Sequence, residues 1–145
     1  MDNKLIQAWK ELVKPEDTVY HLGDVGICSP GYLMEILNQL PGKIHLIEGN
    51  HDKTARKCRN RFLSITPLLD IRIPDTDCPM GYQPITLCHY GMRTWNKRSY
   101  GAWHLYGHSH GKLPGVERSC DVGVDCWRYQ PVSYEELKLN FAMSF

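Results

Sequence analysis

Apolar residues along the chain recur at two spacings, and the spacing sets the elements. Leu5, Ile6, Trp9, Leu12 and Val13 return at three- and four-residue steps, which predicts an amphipathic helix over 3–14, stopped by Pro15. A short apolar run over 18–22 reads as a strand that breaks at Gly23-Asp24. Tyr32, Leu33, Ile36, Leu37 and Leu40 mark a second helix over 31–40, ended by Pro41-Gly42. A strand over 44–47 runs into Glu48-Gly49-Asn50-His51-Asp52, and a basic helix is expected over 53–62. Strands are predicted over 71–73 and 85–88, joined by a loop over 74–84 rich in Pro, Asp and Gly. A strand over 102–106 breaks at Gly107-His108-Ser109-His110-Gly111, and another follows over 120–124. Ser133 with Glu136 three residues later is a capping box that starts a last short helix. Strands alternating with helices, with no repeat or linker between them, predict one layered α/β domain over 1–145.

Composition narrows the function classes. A chain of 145 residues can bury a core without covalent staples. The formal charge is +1, so the protein as a whole is no polyanion binder, although a local basic patch fits within that sum. No apolar run approaches membrane-spanning length, and the opening Met1-Asp2-Asn3-Lys4 is not a signal peptide. Six cysteines are scattered without a C-x-x-C pair, and reduced thiols of a cytoplasmic protein are the expectation.

The residues with chemistry to offer sit where strands end. Asp24 follows the first strand, Asn50, His51 and Asp52 the second, His89 a later one, and His108 and His110 the next. Ligands of open α/β sheets collect at the carboxyl ends of strands, so these residues are expected at one edge. A carboxylate bridges cations. Imidazole suits zinc, iron and nickel, and amide or carboxylate oxygen suits manganese and magnesium.

Gly23-Asp24-Val25-Gly26, Gly49-Asn50-His51-Asp52, the isolated His89 and Gly107-His108-Ser109-His110 resemble, in order, four of the five motifs of the calcineurin-like metallophosphoesterases. His89-Tyr90-Gly91-Met92 and Asp121-Val122-Gly123-Val124-Asp125 through Pro131-Val132-Ser133 resemble the small bacterial and phage members. The resemblance implies an α/β fold, a layered β-sandwich flanked by helices. It implies that Asp24 bridges two metals, that Asn50, His89 and His108 complete one site, and that His110 serves the other. It also implies that His51, held by Asp52, contacts the phosphate as a catalytic residue. The expected cofactors are divalent ions (Mn, Fe, Zn or Ni), and the expected partner is a phosphoester substrate such as a nucleotide, with no membrane.

One motif of that family departs. Its opening strand ends in Asp-x-His and supplies two ligands, whereas here Asp2 is the one acid ahead of the first helix and has no nearby histidine. The expectation is a fold missing its first strand, with Met1 lying inside a longer ancestral frame or the gene starting late, and with one metal held instead of two. Activity is then impaired, and the alternative is a non-catalytic metallophosphoesterase-like scaffold that binds a partner.

Several residues also have plain structural roles. His21, His45 and His104 lie within predicted strands and are expected to be packed and hydrogen-bonded. Arg56, Lys57, Arg59 and Arg61 read as a solvated helix face. Arg93, Lys97 and Arg98 follow His89 closely enough to be considered for substrate phosphate. Cys120 and Cys126 do not match a structural zinc spacing.

Overall fold

The computed structural model describes residues 3–25 and 28–144. Met1, Asp2 and Gly26, each part of a reading above, lie outside the described residues. The chain is a mixed α/β protein with two sheets. Helix α1 (Asn3–Leu12) leads to β1 (Thr18–His21), α2 (Pro30–Gln39), β2 (Lys43–Ile47), a one-turn α3 (Lys53–Arg56) and β3 (Ser64–Thr66). The second half runs through β4 (Leu68–Pro74), β5 (Tyr82–Cys88), β6 (Trp103–Tyr106), β7 (Ser119–Asp121) and α4 (Tyr134–Ser144).

The first sheet is parallel, in the order β1-β2-β3. β1 is its edge and β2 its centre, paired on both sides. The second sheet has the order β4-β5-β6-β7, in which β4 and β5 form an antiparallel hairpin and β5, β6 and β7 run parallel.

Two cores follow from the alternation of side chains along β2. Ile44 and Leu46 face a core built with Ile6 and Trp9 of α1 and Leu33, Ile36 and Leu37 of α2. Ile47 joins a second core with Ile85, Leu87, Trp103, Leu105 and the α4 residues Leu137 and Phe141. Ser29 caps α2 by accepting from Tyr32 N, with Pro30 in its first turn. Ser133 does the same for α4, accepting from Glu136 N at 3.1 Å.

Three local expectations differ. The basic helix over 53–62 is instead α3 followed by a 3₁₀ turn at Arg59–Arg61, because Cys58 is fully buried and the chain tightens around it with i→i+3 bonds. The loop expected over 74–84 is shorter, residues 75–81, since β4 and β5 pair from Leu68↔Cys88 to Pro74↔Tyr82. The last predicted strand ends at Asp121, and a 3₁₀ turn at Val124–Cys126 follows. The six cysteines are free.

Helix α4 is fastened to the β4–β5 turn by Asp75, which accepts from Tyr134 Oη at 2.5 Å and pairs with Lys138 Nζ at 2.9 Å. The Tyr134 hydroxyl first, then Lys138, hold the Asp75 carboxyl down at about 2. A lowered folded value means stability that is complete above the unfolded value of about 3.9 and is lost as pH falls from there toward the folded one. Asp75→Asn is expected to lower the melting temperature at neutral pH and to remove part of the pH dependence of unfolding between about pH 4 and 2. Thermal melts across that range check it.

Candidate metal centre

Four loops meet at the carboxyl ends of β1, β2, β5 and β6. They approach closely because two positions carry no side chain. A Cβ on Gly49 would lie 2.5 Å from Asp24 Oδ1, and a Cβ on Gly23, whose φ is +101°, would lie 2.6 Å from His89 Nδ1.

His89 is the centre of the cluster and is 1% exposed. Its Nδ1 lies 2.6 Å from the Leu22 carbonyl oxygen, an acceptor only, so Nδ1 carries the proton and donates. That bond turns Nε2 toward the cluster, where the neutral ring presents a lone pair. It faces Asn50 Oδ1 at 3.1 Å, His108 Nδ1 at 3.1 Å and Asp24 Oδ2 at 3.3 Å. The ligand atoms of Asp24, His89 and His108 all lie within 4.8 Å of one another. A carboxylate oxygen, an amide oxygen and two imidazole nitrogens thus face one space, and with both rings neutral a cation there would take all four as donors. The Nδ1–H to carbonyl bond is the support that orients a ligating histidine. This donor set fits a divalent ion with nitrogen and oxygen preference.

The backbone is left-handed at two of the ligands. Asp24 and His108 adopt positive φ of 57° and 64°, conformations uncommon among non-glycine residues, though Asp and His enter them more readily than most. Two buried carboxylates hold these loops. Asp52 Oδ2 accepts from Asp24 N at 2.8 Å and Gly49 N at 2.7 Å, and its Oδ1 accepts from Val25 N at 2.9 Å. Asp52 thus ties the Asp24 loop to the Asn50 loop. Asp121 Oδ2 accepts from Ser109 Oγ at 2.7 Å and Gly111 N at 2.9 Å, and its Oδ1 accepts from Gly123 N at 2.8 Å. It anchors the loop that carries His108.

The sequence-predicted residues are distributed as follows. Asp24, Asn50, His89 and His108 come together. His51 stands beside them: its N–H donates to Asp24 Oδ1 at 3.0 Å, and its ring Nε2 lies 3.1 Å from Asn50 Nδ2. The expectation that Asp52 holds the His51 ring is corrected, because the Asp52 carboxylate is spent on three backbone N–H groups beneath the loops. His110 is not brought into the cluster. Its Nδ1 lies 2.7 Å from Asp125 Oδ2, and its side chain is largely exposed.

Lys97 and Arg98 are also displaced from the centre. After His89 the chain doubles back beside β6: Met92 N donates to His104 Nε2, and Trp95 Nε1 donates to the Ala102 carbonyl just ahead of that strand. Residues 97–101 therefore lie at the amino ends of the parallel strands, away from the metal edge.

His21, His45 and His104 are packed and bonded. His21 accepts from Gly23 N at 3.2 Å, and burial lowers its pKa against the pull of Asp52 and Asp24. His45 Nδ1 lies 2.6 Å from Ser64 Oγ. His104 donates to the Thr86 carbonyl from Nδ1 and accepts Met92 N–H on Nε2, and burial lowers its pKa also. Arg56 forms a fork to Glu48 rather than standing free.

Sequence reasoning missed the role of Asp121. Its one local signal is Asp121-Val122-Gly123, an Asp whose side chain takes the N–H two residues on, as in an Asx-turn. Tyr90 was also unassigned. Its exposed ring packs edge-on against His89 and His108, with centroids 4.9 and 4.8 Å away, and forms a wall of the centre.

No family model matches the chain. It is 27% identical over 144 residues to an uncharacterized protein of Methanocaldococcus jannaschii, covering 93% of this chain and 72% of that one. It is 28% identical over 153 residues to the gene 66 protein of Mycobacterium phage L5, covering 87% of this chain and 74% of the phage protein. The crystal structure of a protein of unknown function from Aquifex aeolicus superposes with a TM-score of 0.69 at 23% identity, over 94% of this chain and 83% of that one, which shows a shared fold.

Proposed function

We propose that this chain is a metal-dependent phosphoesterase of the calcineurin-like type, and that its two sheets and flanking helices are the layered β-sandwich of that family. The observation that carries the reading is the convergence of Asp24, Asn50 and His108 on Nε2 of His89, whose Nδ1 is taken by the Leu22 carbonyl. Asp24, Asn50, His89 and His108 would hold one divalent ion (Mn, Fe, Zn or Ni). Such a cation, when bound, polarises a phosphoryl oxygen and lowers the pKa of water.

The chain's own residues then do the rest. Asn50 Nδ2 donates to His51 Nε2, which leaves the proton of the neutral His51 ring on Nδ1. That N–H is the group this chain offers to a phosphate oxygen or a leaving alkoxide, and the exposure of His51 leaves it open to substrate. Asp24 Oδ1 fixes the His51 backbone, so the proton donor and the metal ligands keep one geometry. Tyr90 covers His89 and His108 and limits water on that side.

A second reading, a non-catalytic scaffold with one structural cation, is favoured by the position of His110. Paired with Asp125, it leaves a single cluster of three or more ligands among the described residues. Hydrolysis of an activated aryl phosphodiester, measured with manganese and then with chelator, separates the two. Turnover that appears with metal, disappears with chelator and falls in His51→Ala supports the phosphoesterase. Metal bound without turnover under any divalent ion supports the scaffold.

A further inference from the structure

A cleft of about 540 Å³ lies at the opposite edge of the second sheet from the metal centre. It is lined by the segment that precedes β6 and by Glu117 and Arg118, which precede β7. Because β5, β6 and β7 run parallel, both segments sit at amino ends, whereas His89 and His108 follow carboxyl ends. The length of β6, about 10 Å of strand, separates the two places.

Three cations line this cleft, Lys97, Arg98 and Arg118, with one acid, Glu117, which lies 3.7 Å from Arg118 Nη1, in a chain whose whole formal charge is +1. Arg98 lies over Trp95, 4.8 Å from the ring centroid, and donates to the Arg93 carbonyl, so its guanidinium is held in place. Tyr100 also lines the cleft and at 76% exposure is the most exposed aromatic ring among the described residues.

The backbone is constrained here as it is at the metal centre. Among the described residues seven non-glycine positions have positive φ; Asp24, His108 and His110 lie in the metal-centre loops, and Lys97 at 60° and Arg118 at 61° line this cleft. Each is fixed by its carbonyl. Lys97 O accepts from Tyr100 N and Ala102 N, and Arg118 O accepts from His104 N within β6. Left-handed non-glycine residues that the surrounding structure over-determines gather at ligand clamps.

We infer that this cleft binds a nucleoside phosphate, with the phosphate on Arg118, Lys97 and Arg98 and the base stacked on Tyr100. The volume is that of a small-molecule site. The cations supply charge-assisted donors to phosphate, and an open ring offers a platform for any base. The inference does not rest on the phosphoesterase reading, since no metal takes part.

Calorimetry with AMP in the presence of chelator tests it, because chelation removes the metal centre as a competing site. AMP is expected to bind more tightly than about 1 mM, and more tightly than adenosine or pyrophosphate. Tyr100→Ala and Arg118→Ala, both exposed side chains, are each expected to weaken it about tenfold. Glu117→Gln should tighten it by removing the opposing charge. Absence of AMP binding, affinity unchanged by both Tyr100→Ala and Arg118→Ala, or pyrophosphate bound as tightly as AMP overturns the assignment.

Discussion

His108→Ala is expected to abolish tight metal binding and, with it, the proposed phosphoester hydrolysis, while His51→Ala keeps the metal and slows any turnover about a hundredfold. The difference follows from where the two rings point. His108 Nδ1 shares the ligand space with His89 Nε2 and Asp24 Oδ2, so its loss leaves three protein donors where there were four. A site with an acid, an amide and one imidazole holds a divalent ion far more weakly. His51 touches the cluster through its backbone N–H and through Asn50 Nδ2, and no ligand atom is its own. Because His108 is exposed, its removal opens no core cavity, and a loss of metal is not a loss of fold. His89→Gln should also lose the metal, with an added stability cost, since that ring is buried and bonded to Leu22 O. Metal content and turnover of the three variants, measured together, check this. If His51→Ala loses metal, or His108→Ala keeps it, the division of roles is wrong.

The largest stability effect is expected at Asp52, and the most specific loss of metal affinity without unfolding at Asp121. Asp52→Ala strands three backbone N–H groups, those of Asp24, Val25 and Gly49, all in the two loops that carry Asp24 and Asn50. The Val25 donor is buried and the other two are part-buried; an unsatisfied buried donor costs about 1–3 kcal/mol, so destabilisation of about 3 kcal/mol is expected, with metal binding lost as well. Asp121→Asn keeps the size and one acceptor oxygen but loses the charge that takes Ser109 Oγ and Gly111 N. His108 and His110 then lose the brace that keeps their positive φ. Metal affinity should fall about 10- to 100-fold, the usual consequence of removing support behind a ligand. Melting curves with and without metal separate the two effects. A variant of Asp121 that melts lower yet binds metal as the parent does would make Asp121 a purely structural residue.

The candidate centre was legible in the sequence because each of its ligands follows a strand, and strand ends are marked by the change from apolar run to glycine. Gly23-Asp24, Gly49-Asn50 and Gly107-His108 announce both the turn and the donor. Helices α1 and α2 were legible for a similar reason, since their apolar stripes have the period of the element. Other features have no such signature. β3 has three residues, Ser64-Ile65-Thr66, and borrows its conformation from β2. The 53–62 segment has helical composition, but the burial of Cys58 breaks it in two. Asp52 and Asp121 work on backbone N–H groups, which every sequence contains, so residue identity alone does not reveal the partners. The place of Lys97 and Arg98 depends on the chain doubling back at Met92 and Trp95, a tertiary event fixed by His104 and Ala102.

The most direct test of the metal centre is elemental analysis after dialysis against manganese-containing and then metal-free buffer. The geometry predicts about one equivalent of divalent metal per chain, absent from His108→Ala and retained in His51→Ala and His110→Ala, since His110 is turned to Asp125. No retained metal in the parent chain, or metal lost from His110→Ala and kept in His108→Ala, would contradict the site described for Asp24, Asn50, His89 and His108.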